Sequence, residues 1–373
     1  MMSRVFGMRE RDGVAETLLL FASKRIEKGK GYFRIDWHSL NLETAEISEA
    51  LSTMPPKARS GASAVALGNR VYLFGGDCVR MDPTCPDGKI NSNRFHSHNY
   101  VFCFDCEHPD RGWKEAPSML HPRLRPVSVA AKGKIYAFEG SRLAHFAEVF
   151  DVSGSGWKPL SIPPDLDMYT RRVSSPVLFD SPRSRIFVHF QTIGGPNPLY
   201  AYHVDGESWE CLDEAFGAWS YATALVDGVL YYLTDPDEET AACLLSDQRC
   251  CLQAYDVVEK EWLPVKWLSK FSVWVPKRCG LYHLGKGHFC FAWHATLLDV
   301  FKYRKISVCK NSGEIHVTGV SESLHTVPFA ADWCEFIALN EDQRITCEEG
   351  HKGIDGKRVD PVGVCSFEPA DLH

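Results

Sequence analysis

Five short segments of this 373-residue chain gather cations and aromatic rings. They are Pro55-Pro56-Lys57-Ala58-Arg59, His121-Pro122-Arg123-Leu124-Arg125, Tyr169-Thr170-Arg171-Arg172, Ala218-Trp219-Ser220-Tyr221 and Ser272-Val273-Trp274-Val275-Pro276-Lys277. A guanidinium presents its N–H donors in a flat fork, so it grips carboxylates or phosphates two bonds at a time and stacks on rings. Brought to one place, Arg59, Arg123, Arg125, Arg171, Arg172 and Lys277, walled by Trp219, Tyr221 and Trp274, would recognise an anionic or aromatic group. The plainer use of such an arginine is to pair with a neighbouring carboxylate or with backbone carbonyls.

Other chemistry finds less support. Cys103-x-x-Cys106 lies near His96, His98 and His108, which are zinc-type ligands. Yet Cys103 falls in a strand-like run, Cys106 in the turn after it, and no second ligand pair has regular spacing. The expectation is no metal and no cofactor. The nucleophile-elbow, phosphate-loop and His-Glu-x-x-His signatures are absent from the sequence. Isolated histidines at strand ends, such as His189 and His294, read as structural.

Bulk properties narrow the partner. A net charge of −7 and a pI near 6.1 argue against a protein that tracks nucleic-acid phosphates or anionic membranes. The early apolar run, 17–22, is too short to span a bilayer and follows Glu10, Asp12 and Glu16, which spoil a signal peptide. The fourteen cysteines follow no disulfide framework, and there is no Asn-x-Ser/Thr sequon. A cytoplasmic or nuclear monomer is expected, with most thiols acting as small buried hydrophobes.

The segments that carry the arginines must be held by something, and the stretch from Ala62 to Trp113 shows what. An apolar strand, the Gly68-Asn69 turn and a second strand at 70–74 make a hairpin. Gly75-Gly76 ends that strand where the backbone needs unusual φ/ψ or a close neighbour. A third strand follows near Tyr100, then Asp105, a turn and Trp113, whose indole can fill space between stacked sheets.

The unit recurs. A polar residue ending a strand is followed six positions later by a large apolar one at Asp151 and Trp157, His203 and Trp209, and Asp256 and Trp262. Asn41 and Ile47, and Cys309 and Ile315, keep the spacing with Ile, while Asp105 and Trp113 have two extra turn residues. Anchors at 47, 113, 157, 209, 262 and 315 recur roughly every 50 residues, the period of a four-stranded propeller blade. Second strands are expected at 18–22, 70–74, 134–138, 185–190, 229–233 and 288–293, each almost continuously apolar and so buried on both faces.

Phe74-Gly75-Gly76 with Tyr100 and Trp113, echoed by Tyr136-Ala137-Phe138-Glu139-Gly140 and Trp157, resembles the kelch motif. Over about residues 17–340 the chain is similar to plant kelch-repeat proteins, which share the propeller of galactose oxidase. The resemblance implies an all-β, six-bladed kelch-type β-propeller, with residues 1–16 as a lead-in and 341–373 as a polar tail. The double glycine is intact only in the second unit; it becomes Glu139-Gly140, Phe190-Gln191, Thr234-Asp235 and His294-Ala295, so later blades are expected to be irregular. The first unit lacks a first strand, which 334–339 is expected to supply, with 3–8 as the rival donor. Many plant relatives carry an F-box ahead of the propeller; with so short a lead-in, that module is expected to be missing.

In such a meander the blade-to-blade loops and the loops between second and third strands emerge on one side. That side holds all five cation and aromatic segments, and two long insertions, 77–99 and 235–249. The resemblance implies a protein-interaction scaffold that binds a protein or peptide, acidic enough to meet the arginines. The alternative is a small-molecule binder or enzyme whose central arginine and aromatic pocket takes an anionic ligand. Nothing marks the residue set of the copper oxidase, and the Glu-x-x-x-Asp-x-x-x-His of the kelch specifier proteins is absent.

Overall fold

Alternate residues of a strand leave its sheet in opposite directions, and here both directions lead into protein. In the second strand of the Gly75-Gly76 unit, Leu73 enters one apolar cluster with Trp37 while Phe74 enters another with Trp157. The same split recurs at Ala137 and Phe138, at Phe187 and Val188, and at Tyr231 and Tyr232. Double burial explains why these strands read as unbroken apolar runs.

The computed structural model describes residues 18–26, 33–41, 52–53, 60–77, 97–139, 146–154, 156–164, 171–174, 176–192, 196–217, 222–234, 251–268, 279–295, 300–311, 313–326 and 336–339. Among them the chain is all-β, with two single 3-10 turns at Pro109–Arg111 and Ser181–Arg183. The first sheet holds β1 (Leu18–Ile26), β2 (Phe33–Asn41) and β3 (Ser52–Thr53); the second holds β4 (Ser60–Leu67), β5 (Arg70–Asp77), β6 (Val101–Asp105) and β7 (Trp113–Ala116). The third is β8 (Val127–Ala131), β9 (Lys134–Phe138), β10 (Ala147–Asp151) and β11 (Trp157–Pro159). The fourth is β12 (Arg171–Val173), β13 (Leu178–Asp180), β14 (Arg185–Thr192), β15 (Leu199–His203) and β16 (Ser208–Asp213). The fifth is β17 (Ala222–Val226), β18 (Val229–Thr234), β19 (Cys251–Asp256) and β20 (Glu261–Leu263). The sixth is β21 (Val265–Trp267), β22 (Cys279–Gly285), β23 (His288–Ala295), β24 (Val300–Asn311) and β25 (Glu314–Thr326), with β21 parallel to β25 and the rest antiparallel. Finally β26 (Phe336–Leu339) pairs antiparallel with β1, Leu18 opposite Leu339. The rival strand donor at 3–8, the tail at 341–373 and most of both long insertions lie outside the described residues.

Each sheet packs on the next in chain order, and the repeating anchors now have physical roles. Asp105, Asp151 and Asp256 end third strands and hold the following turn by accepting backbone N–H bonds, as Asp256 does from Val258 at 2.9 Å and Glu259 at 3.2 Å. The indoles opening the fourth strands fill the gap to the preceding sheet. Trp157 Nε1 donates to the Pro117 carbonyl at 2.8 Å, and Trp209 Nε1 to that of Ser161 at 3.0 Å, so each tryptophan also fixes the linker that precedes its own unit. On this turn side, ion pairs from Lys132 to Asp205, Lys260 to Glu210 and Lys310 to Asp256 link consecutive sheets.

The fourth sheet departs from the template. Its inner strand is split into β12 and β13 around Pro176, which has no N–H to give to a ladder. Val173 pairs with Phe190 and Leu178 with Phe187, so five steps along the split strand match three along β14 and the strand bulges there.

Candidate functional site

The edge opposite those turns carries, among the described residues, Arg123, Arg125 and Arg172. At the junction of sheets two and three, β5 runs out through Gly75, whose φ is +74°. A Cβ on Gly75 would lie 2.6 Å from the Arg123 carbonyl oxygen, too close for any side chain. With glycine there, the Gly76 N–H donates to the Arg123 carbonyl at 2.9 Å, the Arg123 N–H to that of His98 at 3.0 Å, and the His98 N–H back to that of Gly76 at 2.9 Å.

The backbone of Arg123 is thus stitched to sheet two while its side chain enters sheet three. It is fully buried: Nε donates to Glu148 Oε1 at 2.7 Å, and NH1 donates to the carbonyls of Glu139 and Phe146. The other Glu148 oxygen accepts the Leu120 N–H at 2.7 Å. Burial pulls the Arg123 pKa down, and the Glu148 charge opposes that shift. The expectation that Arg123 lines a ligand pocket gives way here to the plainer role, since a side chain with no exposed surface cannot meet a ligand from solvent.

Arg125 and Arg172 differ: both are exposed. Arg125 has a left-handed backbone (φ +51°), donates its N–H to the Gly61 carbonyl at 2.9 Å, and passes its side chain over that glycine. Beside Arg172 lies Glu139, which follows β9 at the place that Gly75 holds in β5 and shares its left-handed conformation (φ +56°). Its carboxylate accepts the Val173 N–H at 2.7 Å. Burial pushes this carboxyl up to about 7, against the lowering effects of the Val173 N–H and the Arg172 charge. Arg171 begins β12, whereas Arg59, Trp219, Tyr221, Trp274 and Lys277 lie outside the described residues.

A second polar feature sits at the same level, between sheets four and five. Ladder register makes this junction directly comparable with that of sheets two and three. Ser63 stands opposite Phe74, Ser128 stands opposite Ala137, and their hydroxyls meet across the junction at 2.9 Å. In the later pair of sheets Ser174 takes the place of Ser63, donating its N–H to the His189 carbonyl at 2.8 Å; His189 takes that of Phe74; and Thr223, opposite Tyr232, takes that of Ser128. Instead of closing, the three polar residues line a cavity of about 10 Å³, completed by Pro176, Leu178, Phe187, Leu199, Leu230 and Tyr232.

Two buried polar atoms here, His189 Nε2 and Ser174 Oγ, have no hydrogen-bond partner among the described residues. Burial lowers the His189 pKa to about 4, and a hydrogen bond to the Asn197 backbone acts the other way. A backbone bond that favours the protonated ring is one in which the ring donates. With the ring proton on Nδ1, Nε2 is a bare acceptor. Phe216 meets the imidazole edge-on at 5.4 Å, which keeps the ring in place.

Burial raises the Cys103 thiol pKa, which disfavours the thiolate a metal needs. The neighbouring Asp105, Glu107 and His108 bring ligand-type atoms within 4.8 Å, but Asp105 already holds the turn through Oδ1 and meets His108 through Oδ2.

Sequence reasoning missed Glu139, Glu148, Ser174 and Thr223 as site residues and read His189 only as an isolated strand-end histidine. One signal was available: when the second strands are aligned, His189 is the polar residue where β5 and β9 have phenylalanine and β18 has leucine.

No protein-family model matches the chain. Curated proteins of Arabidopsis thaliana do. An F-box/kelch-repeat protein is 29% identical over 173 residues, covering 45% of this chain and 36% of its own length. A second F-box/kelch-repeat protein is 24% identical over 212 residues, 55% of this chain and 49% of its own. The chain is a relative of plant kelch-repeat proteins. A putative F-box/kelch-repeat protein adds 26% identity over 199 residues, 51% of this chain and 43% of its own. The matched stretch spans less than half the length of each of these kelch-repeat relatives. Among solved structures, that of YjhT aligns with a TM-score of 0.49 at 11% identity, covering 79% of this chain and 96% of its own.

Proposed function

We propose that this kelch-repeat chain is a protein-interaction scaffold whose sheets are the six blades of one ring, closed by β26 on β1, and whose arginine-bearing edge receives an acidic protein or peptide. The observation that carries the reading is the division of labour at that edge. Arg123 is buried in the joint, which leaves Arg125 and Arg172 as exposed guanidiniums, the latter beside the half-buried carboxyl of Glu139. Exposed guanidiniums on a rigid sheet edge suit bidentate recognition of carboxylates. The kelch-repeat names of the curated relatives support a general interaction role.

Capture from native extract tests the partner, with the Arg125→Ala/Arg172→Ala double variant beside the parent chain. The expected result is a defined protein held by the parent and lost by the variant, with thermal unfolding unchanged because both side chains are exposed. Equal capture by the two chains would sink the arginine edge. Ring closure has its own test: deleting 330–373 removes β26 and is expected to abolish folded protein, whereas a well-folded truncation would refute closure.

A further inference from the structure

We propose that the cavity between sheets four and five is a built site for one water molecule, held by His189 Nε2 and the Ser174 hydroxyl with Thr223 as its neighbour across the junction. The inference stands apart from any partner of the arginine edge. Size selects the occupant first. A cavity of about 10 Å³ holds about one water and no organic ligand. Chemistry then excludes the ions. The lining offers one imidazole and two hydroxyls amid apolar side chains, without the several oxygens a hard cation takes, the set of nitrogen and sulfur ligands zinc takes, or a cation to hold an anion.

Hydrogen-bond geometry completes the case. The imidazole is neutral, and in the tautomer that donates to the Asn197 backbone its Nε2 accepts. A water can donate one proton to Nε2 and accept the Ser174 hydroxyl proton, satisfying two buried atoms that have no partner among the described residues. The hydroxyl of Ser174 alone does not do so, because the bulge around Pro176 has set β12 and β13 out of the closed arrangement of Ser63 and Ser128. The water would thus restore across sheets four and five the hydroxyl link that sheets two and three make directly.

The site lies two residues beyond Arg172 through Ser174, and two beyond Tyr221 through Thr223. It therefore lies behind the part of β12 that carries Arg172.

A high-resolution crystal structure of the full chain tests the proposal. The expected result is a single spherical density peak within hydrogen-bonding distance of both His189 Nε2 and Ser174 Oγ. Relaxation dispersion of water nuclei in solution gives a second measurement: Ser174→Ala/His189→Phe, which copies the phenylalanine of the earlier junction, should hold one fewer long-lived internal water than the parent. A dry cavity, an anomalous-scattering metal, elongated density or an unchanged water count would each overturn the proposal. The crystal structure of the parent decides the matter even where the double variant fails to fold.

Discussion

Two junctions in this molecule occupy the same position in the ladder and are built differently. Between sheets two and three, Phe74, the Ser63–Ser128 hydroxyl pair and the Arg123–Glu148 ion pair close the joint by direct contact. Between sheets four and five, His189 replaces the phenylalanine, the inner strand bulges at Pro176, and a polar cavity opens. An inter-sheet joint tolerates buried polar groups in either of two ways: by pairing them directly at tight geometry, or by leaving space of the size and polarity that water fits. The first way is rigid and sensitive to single substitutions. The second is adaptable and sensitive to pH.

The largest effect is expected at the closed junction. Glu148→Ala leaves the Arg123 charge buried without its partner, and should lower stability by about 3–5 kcal/mol in urea unfolding. Arg123→Met/Glu148→Leu, which removes both charges together, should recover most of that loss. A single-variant cost below about 1 kcal/mol would show that the ion pair does not hold the joint.

Next in size is the close approach at Gly75. Gly75→Ala combines a left-handed backbone with a contact of 2.6 Å to a carbonyl. Gly133→Ala is the control, because its φ is +73° but nothing lies within 4 Å of the added Cβ. The control should cost about 1–2 kcal/mol from conformation alone, and Gly75→Ala distinctly more. Equal melting temperatures for the two variants would deny the close packing of Arg123 against β5.

Titration separates His189 from Glu139, whose carboxyl bridges sheets three and four, by sign. His189 stays neutral in the fold down to about 4, while the unfolded chain binds a proton near 6.5; its contribution is complete above that value and is lost as pH falls toward 4. Glu139 runs the other way: with a folded value of about 7 against 4.5 unfolded, its contribution is complete below 4.5 and is lost as pH rises toward 7. His189→Phe should therefore flatten the acid side of a melting-temperature profile. Glu139→Gln should flatten the side approaching neutrality while its amide oxygen still accepts the Val173 N–H. Profiles that superimpose on the parent would show that neither environment is as buried as drawn.

The smallest effect belongs to Ser174→Ala/His189→Phe, which removes both atoms that lack partners and fills the space. Stability should change by no more than about 1 kcal/mol, toward greater stability, since replacing both members of a polar pair by apolar groups is close to neutral. A loss of several kcal/mol would show that the polar junction is a strong link.

Much of the framework was legible because strand signals are local. The apolar runs at 70–74 and 134–138, the turn-holding Asp105, Asp151 and Asp256, and the tryptophans that follow them are written in short windows, and each takes the expected place. The fifth strands of sheets four and six were not foreseen, because the Pro176 bulge and the parallel pairing of β21 with β25 depend on register between distant segments.

The arginines show where local reading ends. By itself the sequence determined that the chain is all-β, that its units repeat, that glycine is required at Gly75, and that certain loops are rich in guanidinium groups. Arg123 and Arg125 sit two positions apart in one such loop and look alike there. Only the tertiary structure assigned one to an ion pair with Glu148 and left the other exposed, because the partner carboxylate comes from another strand of the folded sheet. The cavity was decided in the same way. Ser174, His189 and Thr223 are unremarkable in sequence, and they become a site only when two sheets meet at a bulge.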